Sequence, residues 1–226
     1  MRAVKGGLYA ALWLLACAAR AGAHDPSRSK VTWAGDIERL VHARCIRCHS
    51  PDGKGPMSLV TYEDARPYAS AMREEVLARR MPKWHAARGY GQFANDPSLS
   101  PFDIALIVSW VDGGALRGDP AKPGTPIPPR PAPPVAARKL SLPCRDAALP
   151  AGRLLAITPA MGEGASAGFS VVLPGGRHEI LAWVRDYERE FPDTYWLETP
   201  LRLPPGSRLY AEAPAECRLT LLLERR

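Results

Sequence analysis

Cys45-Ile46-Arg47-Cys48-His49 is the stretch that most constrains this chain. Two thiols three positions apart on one helical turn can each reach one vinyl group of a single porphyrin. The imidazole that follows directly is placed under the metal. The spacing therefore reads as the attachment site of one covalently bound haem c, with Cys45 and Cys48 as thioether anchors and His49 as an iron ligand. A zinc site built on this pair needs a second ligand pair at similar spacing, and none follows. A redox dithiol needs a βαβ context, and the flanks here are helical.

The N-terminus agrees with that chemistry, because haem c is attached outside the bacterial cytoplasm. Arg2 and Lys5 precede an apolar run over residues 8–19, and Ala21-Gly22-Ala23 forms a small-x-small cleavage site. Residues 1–23 read as a signal peptide, so the protein is expected to be periplasmic or otherwise exported. The run is short for a membrane span. Membrane attachment follows only if the signal is retained or if Cys17 is acylated, and Leu15 before Ala16 fits a lipidation site poorly. Cleavage after Ala23 would leave His24 with a free amine and ring for copper, but no partner His is evident from spacing. The formal charge is +7. Arg2, Lys5 and Arg20 lie in the signal, so the remainder is only mildly basic, which argues against a nucleic-acid partner.

Residues 31–117 read as a haem domain of helices. Ile37, Leu40 and Val41 recur at helical spacing ahead of Cys45, with Asp36 as a cap. His42 on that helix reads as an exposed or packing His. Residues 50–56 form a turn-rich loop. A second helix is expected over 69–80, with Met72, Val76 and Leu77 inward. Arg73, Glu74, Glu75, Arg79 and Arg80 make a solvated face. Pro82 stops it. Ser100-Pro101-Phe102-Asp103 opens a last helix that Gly113-Gly114 ends. Met81, followed by Pro82 and a long loop, is the expected second iron ligand, since a thioether fills the sixth position and raises the reduction potential. Met57 and His85 are its rivals, while Met72 suits core packing. Trp33, Trp84 and Trp110 are either core residues or donors to a haem propionate.

The strings Arg80-Met81-Pro82-Lys83-Trp84-His85, Tyr90-Gly91-Gln92-Phe93-Ala94-Asn95-Asp96 and Trp110-Val111-Asp112-Gly113-Gly114-Ala115 carry a resemblance. They are similar to bacterial cytochrome c domains fused to copper type II ascorbate-dependent monooxygenase-like modules. The resemblance covers residues 31 to about 120. It implies a small all-α cytochrome c-like fold and supports Met81 as axial ligand, with Lys83 standing where a second Pro is common.

Residues 118–143 hold a run of prolines and read as an extended, semi-rigid linker. Residues 144–226 contain six short apolar segments with turn signals between them, including Pro174-Gly175-Gly176, and read as a small antiparallel β-sandwich. Cys144 and Cys217 bracket it and are expected to form a disulfide in an oxidising compartment. This half is similar to the C-terminal β-sandwich of the same copper enzymes, with Ala160, Met161 and Gly162 where the family has its His-x-His. Copper monooxygenase activity is therefore not expected. Gly164-Ala165-Ser166-Ala167-Gly168 matches a nucleophile pattern, but it precedes a strand in place of following one.

Taken together, the expected architecture is multidomain, α then β: an all-α haem domain, a Pro-rich linker and a β-sandwich. The expected role is electron transfer through a His/Met-ligated haem, as a carrier and not an enzyme. The β module would dock a redox partner protein, with a copper oxidoreductase as the candidate class. The alternative is a haem enzyme or gas sensor with an open or labile distal position.

Overall fold

The computed structural model describes residues 31–119, 121 and 137–224. The expected signal peptide, Cys17, His24 and most of the Pro-rich stretch lie outside them. Among the described residues no helix is long and apolar enough to cross a membrane.

The helical part begins at Thr32, not at Asp36. The Thr32 hydroxyl accepts from the Gly35 N–H, and the Asp36 carboxylate accepts from the Thr32 N–H at 3.1 Å. Thr32 is in extended backbone, where a side-chain oxygen can reach the first free N–H groups. A π-helical turn over Trp33–Ile37 leads into α1 (Glu38–Arg44), which delivers Cys45 at its C-terminal end. α2 (Tyr62–Ala65) opens on a Thr61–Asp64 capping box, and a 3₁₀ turn over Arg66–Tyr68 leads into α3 (Ala69–Leu77). α3 is shorter than the expected 69–80 because Arg79 takes a left-handed φ of 56°. α4 (Pro101–Asp112) carries the Ser100–Asp103 capping box with proline in its first turn. Trp33, Ile37, Val41, Ile107 and Trp110 bury together between these elements, each large side chain contributing about 1.5–3 kcal/mol by leaving water. The Trp110 indole N–H donates to the Leu116 carbonyl at 3.0 Å, so it is not available to a propionate.

From Ala137 the chain is β. The strands are β1 (Ala137–Pro143), β2 (Ala147–Ala148), β3 (Gly152–Ala160), β4 (Ala167–Val172), β5 (His178–Val184), β6 (Tyr195–Leu203), β7 (Arg208–Glu212) and β8 (Arg218–Glu224). They make two four-stranded sheets, in the orders β1-β8-β3-β6 and β2-β7-β4-β5. All pairings are antiparallel. Alternation places Phe169 and Val171 of β4 and Leu219, Leu221 and Leu223 of β8 in one core between the sheets. Gly175 and Gly176, at φ 92° and 84°, turn the chain from β4 into β5. β1 falls inside the stretch expected as linker. Pro143 is compatible with it because β1 is an edge strand. A disulfide joins Cys144 and Cys217 at the ends of β1 and β8.

The expected fold class, an all-α cytochrome c-like domain set apart from a β-sandwich, is overturned. Regular structure among the described residues is mostly β, and the helices are short, with 7, 4, 9 and 12 residues. Residues 84–94, between α3 and α4, do not complete a helical domain; they belong to the sandwich, whereas Leu99 returns to the helical core. Trp84, Ala86 and Phe93 pack on the β core, and Ala86 and Phe93 form isolated bridges with Val184 and Leu197. The Ala87 N–H donates to the Trp183 carbonyl at 2.7 Å, and the Ala94 N–H donates to the Trp196 carbonyl at 2.9 Å. β5 and β6 are the outer strands of the two sheets on one side. Outer strands leave backbone groups unpaired, and residues 84–94 supply partners to both, closing that side of the sandwich.

The disulfide closes a loop of 73 residues, so a Cys144→Ser/Cys217→Ser variant is expected to lose roughly 2–4 kcal/mol of stability. Urea unfolding of the oxidised protein beside the variant checks this.

Candidate functional site

Cys45, Cys48 and His49 are each delivered by a local device. α1 ends at Arg44 and is capped by Cys45, whose N–H still donates to the Val41 carbonyl at 2.8 Å. The chain then turns tightly, and the Cys48 and His49 N–H groups both donate to the Cys45 carbonyl, at 3.1 and 3.0 Å. The loop over residues 50–56 folds back on this turn, with the Gly55 N–H donating to the Cys48 carbonyl at 2.7 Å. Gly55 is required by contact: a Cβ there would stand 2.7 Å from His49 Nδ1. That loop brings the Met57 carbonyl to accept from His49 Nδ1 at 3.2 Å. The hydrogen bond fixes the Nδ1–H tautomer and leaves Nε2, on the opposite side of the ring, as a lone-pair donor for a metal.

Cys45, Cys48, His49 and Met81 all line one cavity of about 330 Å³, inside the roughly 300–1,000 Å³ typical of ligand sites. Its wall is apolar, with Leu59, Met72, Val76, Leu99, Ile107 and Phe191. Met72, read from sequence as core, lines the cavity, as does Met57. His85 does not. It is buried beside Tyr187, at 6.2 Å between ring centroids, and its Nε2 has no partner among the described residues. His42 is buried, and its Nε2–H donates to the Val60 carbonyl at 2.8 Å. Cys45 and Cys48 are not bonded to each other. Burial, with the neighbouring Cys48 adding to it, pushes the Cys45 thiol up to about 12. An activated redox thiol is shifted the other way. The donor set fits a haem: two thiols, an imidazole with its outer nitrogen already held, a thioether and an apolar wall.

The sequence gives no sign that the β module contributes to this cavity. Phe191, from the loop between β5 and β6, is part of the wall. Arg47, inside the haem motif, pairs with Asp193 of the same loop at 3.1 Å and lies over the Trp84 ring. Asp193 is buried, and burial raises its carboxyl above the ordinary 3.8 while the Arg47 guanidinium pulls the other way. At the rim Glu75 accepts from Arg80 at 2.8 Å, which holds its carboxyl below the usual range.

The other expected motifs lie elsewhere. Ser166 sits in the turn before β4, accepting from the Asp186 N–H at 3.3 Å, with no helix after it. Met161 is buried at the end of β3, and His178 begins β5 beside Tyr210. Among the described residues no group of three or more His, Cys, Asp or Glu side chains gathers as a metal site.

No protein-family model matches the chain, and no curated protein matches it. Among solved structures, a pentameric capsid protein from metagenomic phage sequences aligns at 18% identity and a TM-score of 0.29. The alignment covers 40% of this chain and 63% of that one. A second structure of a capsid protein of that description aligns at 19% and 0.29, covering 69% and 88%. Latent PorU from Porphyromonas gingivalis aligns at 14% and 0.14, covering 40% and 10%. At these TM-scores the likenesses carry no argument about fold or function.

Because ionising Asp193 costs more in the folded chain than in the unfolded one, its contribution to stability is full below the ordinary value of 3.8 and is lost as pH rises through its raised folded value. In urea unfolding between about pH 4 and pH 7 the wild type is expected to lose stability relative to Asp193→Asn as pH rises, by at most about 1.4 kcal/mol per pH unit. A relative gain over that window contradicts the assignment.

Proposed function

We propose that this chain is an exported electron-transfer protein carrying one covalently attached haem c in the cavity between the short helices and the β-sandwich. One observation carries the proposal. The Cys45–His49 motif and the Met81 thioether, 32 positions beyond His49 in sequence, line the same apolar cavity, with His49 Nδ1 already engaged.

When bound, the haem supplies a one-electron Fe(III)/Fe(II) couple. Cys45 and Cys48 would hold the ring through thioethers. His49, its ring oriented by the Met57 carbonyl, would offer Nε2 to the iron. Met81 would offer its sulfur, a ligand type that favours the reduced state. Leu59, Val76, Leu99 and Ile107 keep water from the cavity wall, which keeps reorganisation on electron transfer small. With His49 and Met81 both holding iron, no open position would remain for a small molecule, and the chain would act as a carrier. Its counterpart is a redox partner protein, for which a copper oxidoreductase is the proposed class. Ala160, Met161 and Gly162 offer no imidazole, so no copper-dependent oxygenation is assigned to the β module.

The test is an absorption spectrum of protein matured in a strain competent for haem c attachment, taken oxidised, reduced, and reduced with carbon monoxide. A c-type spectrum with the weak red sulfur-to-iron band and no response to carbon monoxide is expected. Met81→Ala is expected to lose that band and to bind carbon monoxide. Ready carbon monoxide binding by the wild type would move the function to an enzyme or gas sensor.

A further inference from the structure

The loop between β5 and β6 returns to the cavity at several points, and its contacts fall on the two segments that carry the iron ligands. Lys83, two residues after Met81, donates to Glu188 Oε1 at 2.6 Å. Arg47, one residue before Cys48, pairs with Asp193 at 3.1 Å. Lys54, in the loop that follows His49, donates to the Glu190 carbonyl at 3.2 Å. Between these ties the Phe191 ring forms part of the cavity wall, with Lys83 Nζ 6.0 Å from its centroid. The motif segment and the Met81 segment share no helix, so their separation is set from outside, by what both are bound to.

We propose that residues 188–193 act as a strap across the cavity, with Glu188 and Phe191 as positioning residues that hold the Met81 sulfur in place and keep small ligands out. This rests on the haem reading above. It assigns the β module a task within its own chain, that of completing the haem crevice, where the sequence suggested only partner docking. Lys83 and Glu188 are both about one-third exposed, at 31%. A charge-assisted pair of this length, partly shielded from solvent, is worth about a threefold to tenfold change in an equilibrium. Losing Phe191 opens the wall without changing charge.

The experiment titrates imidazole into the oxidised full-length haem protein and follows loss of the sulfur-to-iron band. Glu188→Gln and Phe191→Ala are expected to bind imidazole about threefold to tenfold more tightly than the wild type. The charge exchange Lys83→Glu/Glu188→Lys is expected to return affinity toward the wild-type value. Glu224→Gln, which breaks the exposed pair with Arg153 on the sandwich, is expected to change nothing. If Glu188→Gln accumulates without haem, Phe191→Ala and the charge exchange decide. Haem present, with every variant at wild-type affinity, overturns the strap and leaves the haem reading standing. An equal effect of Glu224→Gln overturns it too, as general destabilisation. A wild type without covalent haem overturns both.

Discussion

The rest of the structure hangs on backbone hydrogen bonding between the segment after Met81 and the two outer strands β5 and β6. Two sheets packed face to face leave unpaired N–H and C=O groups along their edges, and such groups are costly to leave dry. Residues 84–94 meet this demand on both sheets at once, through the Ala86–Val184 and Phe93–Leu197 bridges. Trp84 and Phe93 fill the space between, packing on Tyr195 at 4.8 and 5.2 Å. A segment fixed at that many points has little freedom, and Met81 is only three residues upstream of Trp84. The position of the thioether at the cavity is thus inherited from the β-sandwich.

The same dependence explains the charges around the crevice. Arg47 and Lys83 are cations next to the residues that would hold iron, and each is met by an acid from one loop of the sandwich. Asp193 is buried, and a buried carboxylate is tolerated only with a partner. Arg47 supplies the countercharge and covers Trp84 with its guanidinium. Helices, loop and sandwich form one unit around the cavity, with no free-standing cytochrome domain tethered to a docking module.

What could be read from the sequence was whatever depends on close neighbours. That Cys45, Cys48 and His49 share one tight turn is legible because they lie within five positions of each other, and the Ser100–Asp103 cap because both residues contact the same few N–H groups. Alternation and the Pro174-Gly175-Gly176 turn revealed the sandwich. β1 stayed hidden because it follows a run of prolines, and β2 because it has only two residues. The fold class failed for a different reason. Residues 84–94 have no periodicity of their own, and their strand-like pairing comes from edges some hundred residues away. Lys83 and Glu188 are 105 positions apart, and nothing local marks Phe191, Glu188 or Asp193 as neighbours of the cavity that Cys45–His49 and Met81 line. The Met57 carbonyl could not be found either, since any residue type at position 57 offers one.

The central claim is that Cys45 and Cys48 carry a haem in this cavity, and intact-mass measurement of the mature protein tests it most directly. The account predicts a gain of the mass of one haem over the polypeptide. That gain should survive acidic organic extraction, stay on the proteolytic peptide containing Cys45–His49, and disappear in Cys45→Ala/Cys48→Ala. A protein expressed with haem c maturation in place, yet showing the mass of the bare polypeptide, would contradict it.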